Sequence, residues 1–134
     1  DRTQREEKYA GYTRRLAAMI RDLRKDLDAP NLPVVIGELG VGGIPQRGAF
    51  QAAQAAVAEM PEFKDRVKFV KTCEFYDTKA HELYEKNVWK DPEEKETFYR
   101  IAADRPYHYL GSGKTYYLMG KAMGQEMLEL QKAN

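Results

Sequence analysis

The residue types best suited to chemistry gather near the end of the chain, in Tyr107-His108-Tyr109-Leu110-Gly111-Ser112-Gly113-Lys114-Thr115. His108 is one of two histidines. An unperturbed imidazole titrates at about 6.5, which suits a general base working near neutrality. Asp104 precedes it by four residues and is placed to orient the ring as a triad acid does. The structural alternatives stand beside these readings: a loop histidine packed between Tyr107 and Tyr109, and a turn aspartate ahead of Arg105-Pro106.

Ser112 is the only serine. A nucleophile elbow reads G-x-S-x-G after a strand. Here Leu110 stands where the first glycine belongs and a helix follows, so the expected role of Ser112 is a helix N-cap. Gly113-Lys114-Thr115 matches only the tail of a phosphate-binding loop, with His108 in place of its first glycine and no convincing strand ahead, so nucleotide binding is not expected. His81, Glu82 and Glu85 fall short of a metal motif and read as a solvated helix face. Cys73 reads as a small apolar filler. No metal and no cofactor is expected.

Elements that would hold these residues follow from periodicity. Residues 1–11 read as a charged connecting loop. Tyr12, Leu16, Met19, Ile20, Leu23 and Leu27 recur at helical spacing, ending at Pro30. Val34-Val35-Ile36 is a β-branched run suited to a buried strand, and it runs straight into Gly37-Glu38-Leu39-Gly40-Val41-Gly42-Gly43. Ligands sit at the C-terminal edge of parallel sheets, which makes Gly37 and Glu38 candidate binding residues, with a structural hydrogen-bonding role for Glu38 as the alternative. An Ala-rich helix is predicted over 46–60, a second strand over Val67 to Thr72, and a charged helix between Asp77 and Lys90 anchored by Leu83 and Trp89. A further helix opens at Asp91-Pro92, which supplies an N-cap and a first-position proline. The last helix begins after Ser112, its inner stripe predicted at Tyr116, Gly120, Met123, Met127 and Leu130, with Gly120 and Gly124 allowing close approach to the sheet.

Strand, helix, strand is the order of an α/β unit. Two parallel strands cannot cover both edges of a sheet, so the 134 residues are expected to be a single partial domain. The opening at Asp1, with no Met and no apolar leader, fits a fragment or a processed product. With 22 basic and 21 acidic side chains the net charge is +1, and neither nucleic acid nor an anionic membrane is indicated as a partner. A mean hydropathy of −0.72 accompanies the absence of any apolar run near the roughly 20 residues of a membrane span.

Three blocks taken together carry a family resemblance: Ile20-Arg21-Asp22-Leu23-Arg24-Lys25-Asp26-Leu27, then Leu32 through Gly43, then Tyr107-His108-Tyr109-Leu110-Gly111-Ser112 with Gly120-Lys121-Ala122. From about Tyr12 to Met127 the chain resembles the C-terminal half of the sialate O-acetylesterase domain family, carbohydrate esterases among the SGNH (GDSL-like) hydrolases. The resemblance implies a three-layer α/β/α domain of flavodoxin-like type that removes acetyl groups from sugar hydroxyls without a cofactor. It implies an acetylated carbohydrate as substrate and export from the cell as the setting; Gly37, Glu38, Tyr107 and Tyr109 are the expected substrate contacts from their own places in the two loops. The family's nucleophilic serine lies in an N-terminal G-Q-S-N block that has no counterpart here, and its histidine corresponds to His108. The family pattern is D-x-x-H, whereas Arg105 stands three before His108 and Asp104 four before. The acid is therefore Asp104, another carboxylate or a backbone carbonyl. The alternative function is a non-catalytic module gripping glycan or a partner through the Gly37 to Gly43 loop and the tyrosines.

Overall fold

The structure is a computed structural model that describes residues 2–40 and 48–132, with side chains from residue 9 onward. Helix α1 spans Arg2–Asp26 and strand β1 Val34–Gly37. Helix α2 is Ala49–Ala58 and strand β2 Val67–Val70. Helices α3 (Thr78–Glu85), α4 (Pro92–Ile101) and α5 (Gly113–Lys132) complete the order.

In place of the loop expected up to Gly11, the chain is helix from Arg2 onward. The segment is rich in Arg, Gln, Glu and Lys, all good helix formers, and the one glycine, Gly11, costs only about 1 kcal/mol. At the other end, Asp28 adopts a positive φ of 48° and the Ala29 N–H reaches back to the Arg24 carbonyl at 2.8 Å, closing α1 ahead of Pro30.

β1 and β2 are parallel and in register, Val34 opposite Val67 and Ile36 opposite Phe69. Their alternation sorts the faces. Ile36 and Val67, with Val34 and Phe69 at the margin, pack against Ala17 and Ile20 of α1, Val57 and Ala58 of α2, and Phe63. Gly37, one residue out of phase, looks the other way, where a Cβ would stand 3.2 Å from Met123 Sδ on α5. The sheet is thus covered on both faces, a mixed α/β arrangement. Among the described residues it has two strands and each strand has one unpaired edge.

Two predicted apolar stripes are corrected. On α1 the buried positions are Ala17 and Ile20, while Met19, Leu23 and Leu27 lie exposed on a neighbouring strip. On α5 the inner face runs through Thr115, Met123, Met127 and Leu130, and Tyr116 is exposed. Gly120 and Gly124 face open space, with nothing within 4 Å of an added Cβ, so they permit no close approach to the sheet.

A second apolar cluster carries the C-terminal loop. Ala80 and Leu83 of α3, Val88, Phe98 of α4, Ala102 and Leu110 form its buried part. The helix predicted to run to Lys90 ends early: Asn87 takes the left-handed conformation (φ 58°, ψ 51°) that asparagine tolerates at a helix C-terminus, and Val88–Lys90 continues as a 3₁₀ turn. That break turns Trp89 onto Phe98, ring centroids 5.1 Å apart and nearly perpendicular. α4 opens as its sequence requires, Asp91 Oδ1 accepting from the N–H groups of Glu93 and Glu94 with Pro92 at the first position. β2 stops at Val70, two residues short of the predicted end, because Thr72–Phe75 coils into a 3₁₀ turn.

Candidate active site

Between α4 and α5 the backbone makes an uncommon excursion. His108, Tyr109, Leu110 and Gly111 all have positive φ, at 47°, 54°, 57° and 64°. Each non-glycine residue in this region costs about 1–2 kcal/mol, so the turn persists only because its surroundings hold it. Leu110 anchors the centre. Its side chain is buried in the second cluster, and its carbonyl accepts from the N–H groups of both Ala103 (2.9 Å) and Asp104 (3.0 Å). Gly111 fits where a side chain would not, since a Cβ there would lie 2.9 Å from the Asp104 nitrogen.

The exit of the turn is fixed by Ser112, which is fully buried. Its hydroxyl donates to Asp77 Oδ2 at 3.1 Å and faces the Thr115 N–H at 3.4 Å, the N-cap position of α5. Asp77 in turn caps α3, Oδ1 accepting from the Ala80 N–H at 3.1 Å. One buried carboxylate therefore joins the N-termini of two helices. Thr115 is also committed, its hydroxyl donating to the Phe75 carbonyl at 2.9 Å.

This geometry sets His108 against Asp104, Nδ1 to Oδ2 at 2.5 Å. An ionised carboxylate only accepts, so in such a pair Nδ1 is the donor and, when the ring is neutral, Nε2 presents its lone pair. The imidazole is 77% exposed and the carboxylate 40%. Asp104 itself is steadied by its neighbour, because the Arg105 guanidinium stacks 3.5 Å above the centre of the Trp89 ring.

The turn lies beside the C-terminal ends of both strands. Tyr109 Oη accepts from the Gly40 N–H at 3.3 Å, tying the histidine loop to the segment after β1. Gly40 rests directly on Cys73, where a Cβ would come within 2.6 Å of backbone atoms. Leu39 is fastened to α2, its N–H donating to Gln54 Oε1 (3.0 Å) and its carbonyl accepting from Gln51 Nε2 (2.7 Å).

Of the six residues proposed from sequence, the structure brings His108 and Asp104 into contact and sets Tyr109 beside them. Tyr107 is largely exposed, its ring centroid 6.3 Å from that of His108. Glu38 is placed differently. It is 2% exposed, its carboxylate accepts from the Cys73 N–H at 3.1 Å, and its carbonyl accepts from the Thr72 hydroxyl, so it joins the ends of the two strands. Gly37 closes β1 beneath Met123, where an added Cβ would also meet Thr72. The second half of the glycine loop, residues 41–43, lies outside the described residues, as do residues 44–47 after it. His81 pairs through Nδ1 with the Tyr76 hydroxyl at 3.2 Å. Sequence reasoning passed over Asp77 as a support and placed Tyr116 in the core. The available signal for Asp77 was a helix start with an aspartate ahead of it.

An α/β chain with an imidazole–carboxylate pair at the C-terminal edge of a parallel sheet belongs to the broad class that places polar chemistry at that edge. The family model for carbohydrate esterase, sialic acid-specific acetylesterase, matches residues 1–89, and the chain belongs to that family. The match takes in α1 through α3 with both strands, while Asp104 and His108 lie beyond it. No curated protein and no solved structure matches the chain.

Proposed function

We propose that this chain supplies the acid–base side of a serine-type carbohydrate O-acetylesterase, as the C-terminal half of a three-layer α/β/α SGNH domain. The observation that carries the reading is the His108–Asp104 pair, with Nε2 directed away from the carboxylate. Ser112 is buried and bonded to Asp77, so the nucleophile comes from a serine outside these 134 residues. Two surfaces support a larger domain: the edge of β1, unpaired among the described residues, and the exposed strip of Met19 and Leu23 on α1 with Leu27 just beyond it.

In the complete domain, Nε2 of His108 takes the proton of the serine hydroxyl as its oxygen attacks the acetyl carbonyl. Asp104 holds the Nδ1–H and stabilises the imidazolium so formed. The bond from the acetyl carbon to the sugar oxygen breaks, the imidazolium returns its proton to that oxygen, and the sugar leaves with a free hydroxyl. His108 then deprotonates a water as it attacks the acyl-serine. The bond from the acetyl carbon to the serine oxygen breaks, the imidazolium returns its proton to that oxygen, and the acetyl group leaves as acetic acid, ionising to acetate. Tyr107, largely exposed, and the partly exposed ring of Tyr109 are the proposed sugar contacts, accessible aromatic surface suiting a pyranose face.

In a domain completed by the upstream G-Q-S-N segment, His108→Ala is expected to lower kcat on p-nitrophenyl acetate by about a hundred- to ten-thousand-fold. The isolated chain is expected to hydrolyse that ester no faster than free imidazole at equal concentration. His108-dependent turnover by the isolated chain above that rate would refute the division of the site.

A further inference from the structure

Tyr116 sits on the first turn of α5, is 46% exposed, and donates its phenolic O–H to the His108 carbonyl at 2.7 Å. We propose that Tyr116 is a positioning residue for the imidazole, an inference that rests on the role given above to the His108–Asp104 pair. The left-handed turn has several anchors, but they act at different places. The Leu110 carbonyl holds the backbone of Asp104, the Tyr109 hydroxyl reaches Gly40, and Ser112 fixes the exit. Within the turn the Leu110 N–H donates to the Tyr107 carbonyl at 2.7 Å, on the peptide before His108, and the Tyr116 hydroxyl acts on the His108 carbonyl itself.

That contact matters because the direction of the ring follows from the backbone. At φ 47° the Cα–Cβ bond of His108 aims the ring back toward Asp104, four residues earlier. Relaxation of this residue to the favoured negative φ relieves about 1–2 kcal/mol of strain and swings the ring away from the carboxylate. A hydrogen bond to the carbonyl opposes that rotation. The phenol is itself fixed, its ring packed edge-on against Tyr109 at 5.9 Å and its helix start secured by Ser112 and Thr115. Acid and base are thus held from opposite ends of one strained turn, Asp104 through its own N–H and His108 through its carbonyl.

The test is the ring tautomer of His108 in the isolated chain at a pH where the imidazole is neutral, read from long-range ¹H–¹⁵N correlations, with His81 as internal reference. In the wild type the Nδ1 signal is expected at the protonated, pyrrole-type position and Nε2 at the unprotonated one. Tyr116→Phe, which removes only the hydroxyl, is expected to move both signals toward the Nε2–H tautomer, with the His81 signals unchanged. Asp104→Ala is expected to produce the same shift by removing the acceptor. A wild-type pattern in Tyr116→Phe alongside a shifted pattern in Asp104→Ala would overturn the role of Tyr116 while leaving the pair intact. A wild-type pattern in both variants would overturn the pair itself, and the proposal with it.

Discussion

The buried link between Asp77 and Ser112 permits a quantitative prediction about what holds the histidine turn. Asp77 is buried and bonds both the Ala80 N–H and the Ser112 hydroxyl. Replacing it with alanine removes an N-cap, worth about 1 kcal/mol, and leaves the Ser112 hydroxyl unsatisfied at a further cost of about 1–3 kcal/mol. Ser112→Ala leaves one carboxylate oxygen without that partner, at a comparable cost of about 1–3 kcal/mol. The contribution of Ser112 as a cap is small, because its 3.4 Å approach to the Thr115 N–H is long. The double variant leaves neither group stranded and keeps only the loss of the α3 cap, so it should be less destabilised than the sum of the singles by about 2 kcal/mol or more, the two unsatisfied-group costs that it avoids. Urea unfolding followed by fluorescence of Trp89, the sole tryptophan, reports on the cluster that these residues border. Additivity within about 0.5 kcal/mol would refute the coupling. The same serine variant separates two roles in a completed domain: Ser112→Ala should leave the hydrolysis rate of folded protein unchanged, whereas loss of turnover would make Ser112 the nucleophile.

Further outcomes follow from close approaches and from one titrating group. Gly40→Ala should destabilise by about 1–3 kcal/mol, because the new methyl meets the Cys73 backbone rather than a side chain that can rotate aside; an unchanged urea midpoint would contradict that packing. Gly111→Ala should also destabilise, adding about 1–2 kcal/mol of left-handed strain to a collision with the Asp104 nitrogen, and a neutral result would show that the turn is not left-handed there. Burial, reinforced by the negative charges of Glu85 and Asp77, raises the Tyr76 phenol above its ordinary value. The folded chain then keeps a proton that the unfolded chain sheds near pH 10, so this contribution is complete below about pH 10 and is lost as pH rises through the higher folded value. Tyr76→Phe should flatten the decline of the urea midpoint above about pH 10, and identical slopes in the two proteins would rule the contribution out.

What the sequence disclosed was local and covalently close. Asp91-Pro92 marked a helix start because cap, proline and first turn are adjacent in the chain, and Val34-Val35-Ile36 marked a strand because β-branched residues leave few other choices. His108 stood out by residue type alone. Contacts across the fold were less visible. Nothing in the string shows that the carboxylate of Glu38 turns inward to the Cys73 N–H, since a glutamate in a glycine-rich stretch looks much the same whether it meets ligand or backbone. Helical periodicity could not say which side of α1 is covered, and Met19, Leu23 and Leu27 satisfy the spacing as well as Ile20 does. A run of four left-handed residues, three of them not glycine, runs against local propensity, so only tertiary anchoring reveals it.

That anchoring bears on how the proposed site would be assembled. The contacts that orient the imidazole come from residues 103–116, braced by Asp77, Trp89 and the Phe75 carbonyl and tethered to Gly40. They do not draw on the edge of β1 or on the exposed strip of α1. If the serine-bearing part of the domain docks along those two surfaces, it meets an acid–base pair already set by local structure, and docking need only bring the nucleophile within reach of Nε2. The cost of orienting His108 is then met during folding of the C-terminal cluster, through burial of Leu110 and Phe98, and does not weaken association of the two halves. A site divided in this way should lose histidine orientation through Tyr116→Phe without losing affinity between the halves, and should lose affinity through Leu23→Asp without disturbing the imidazole.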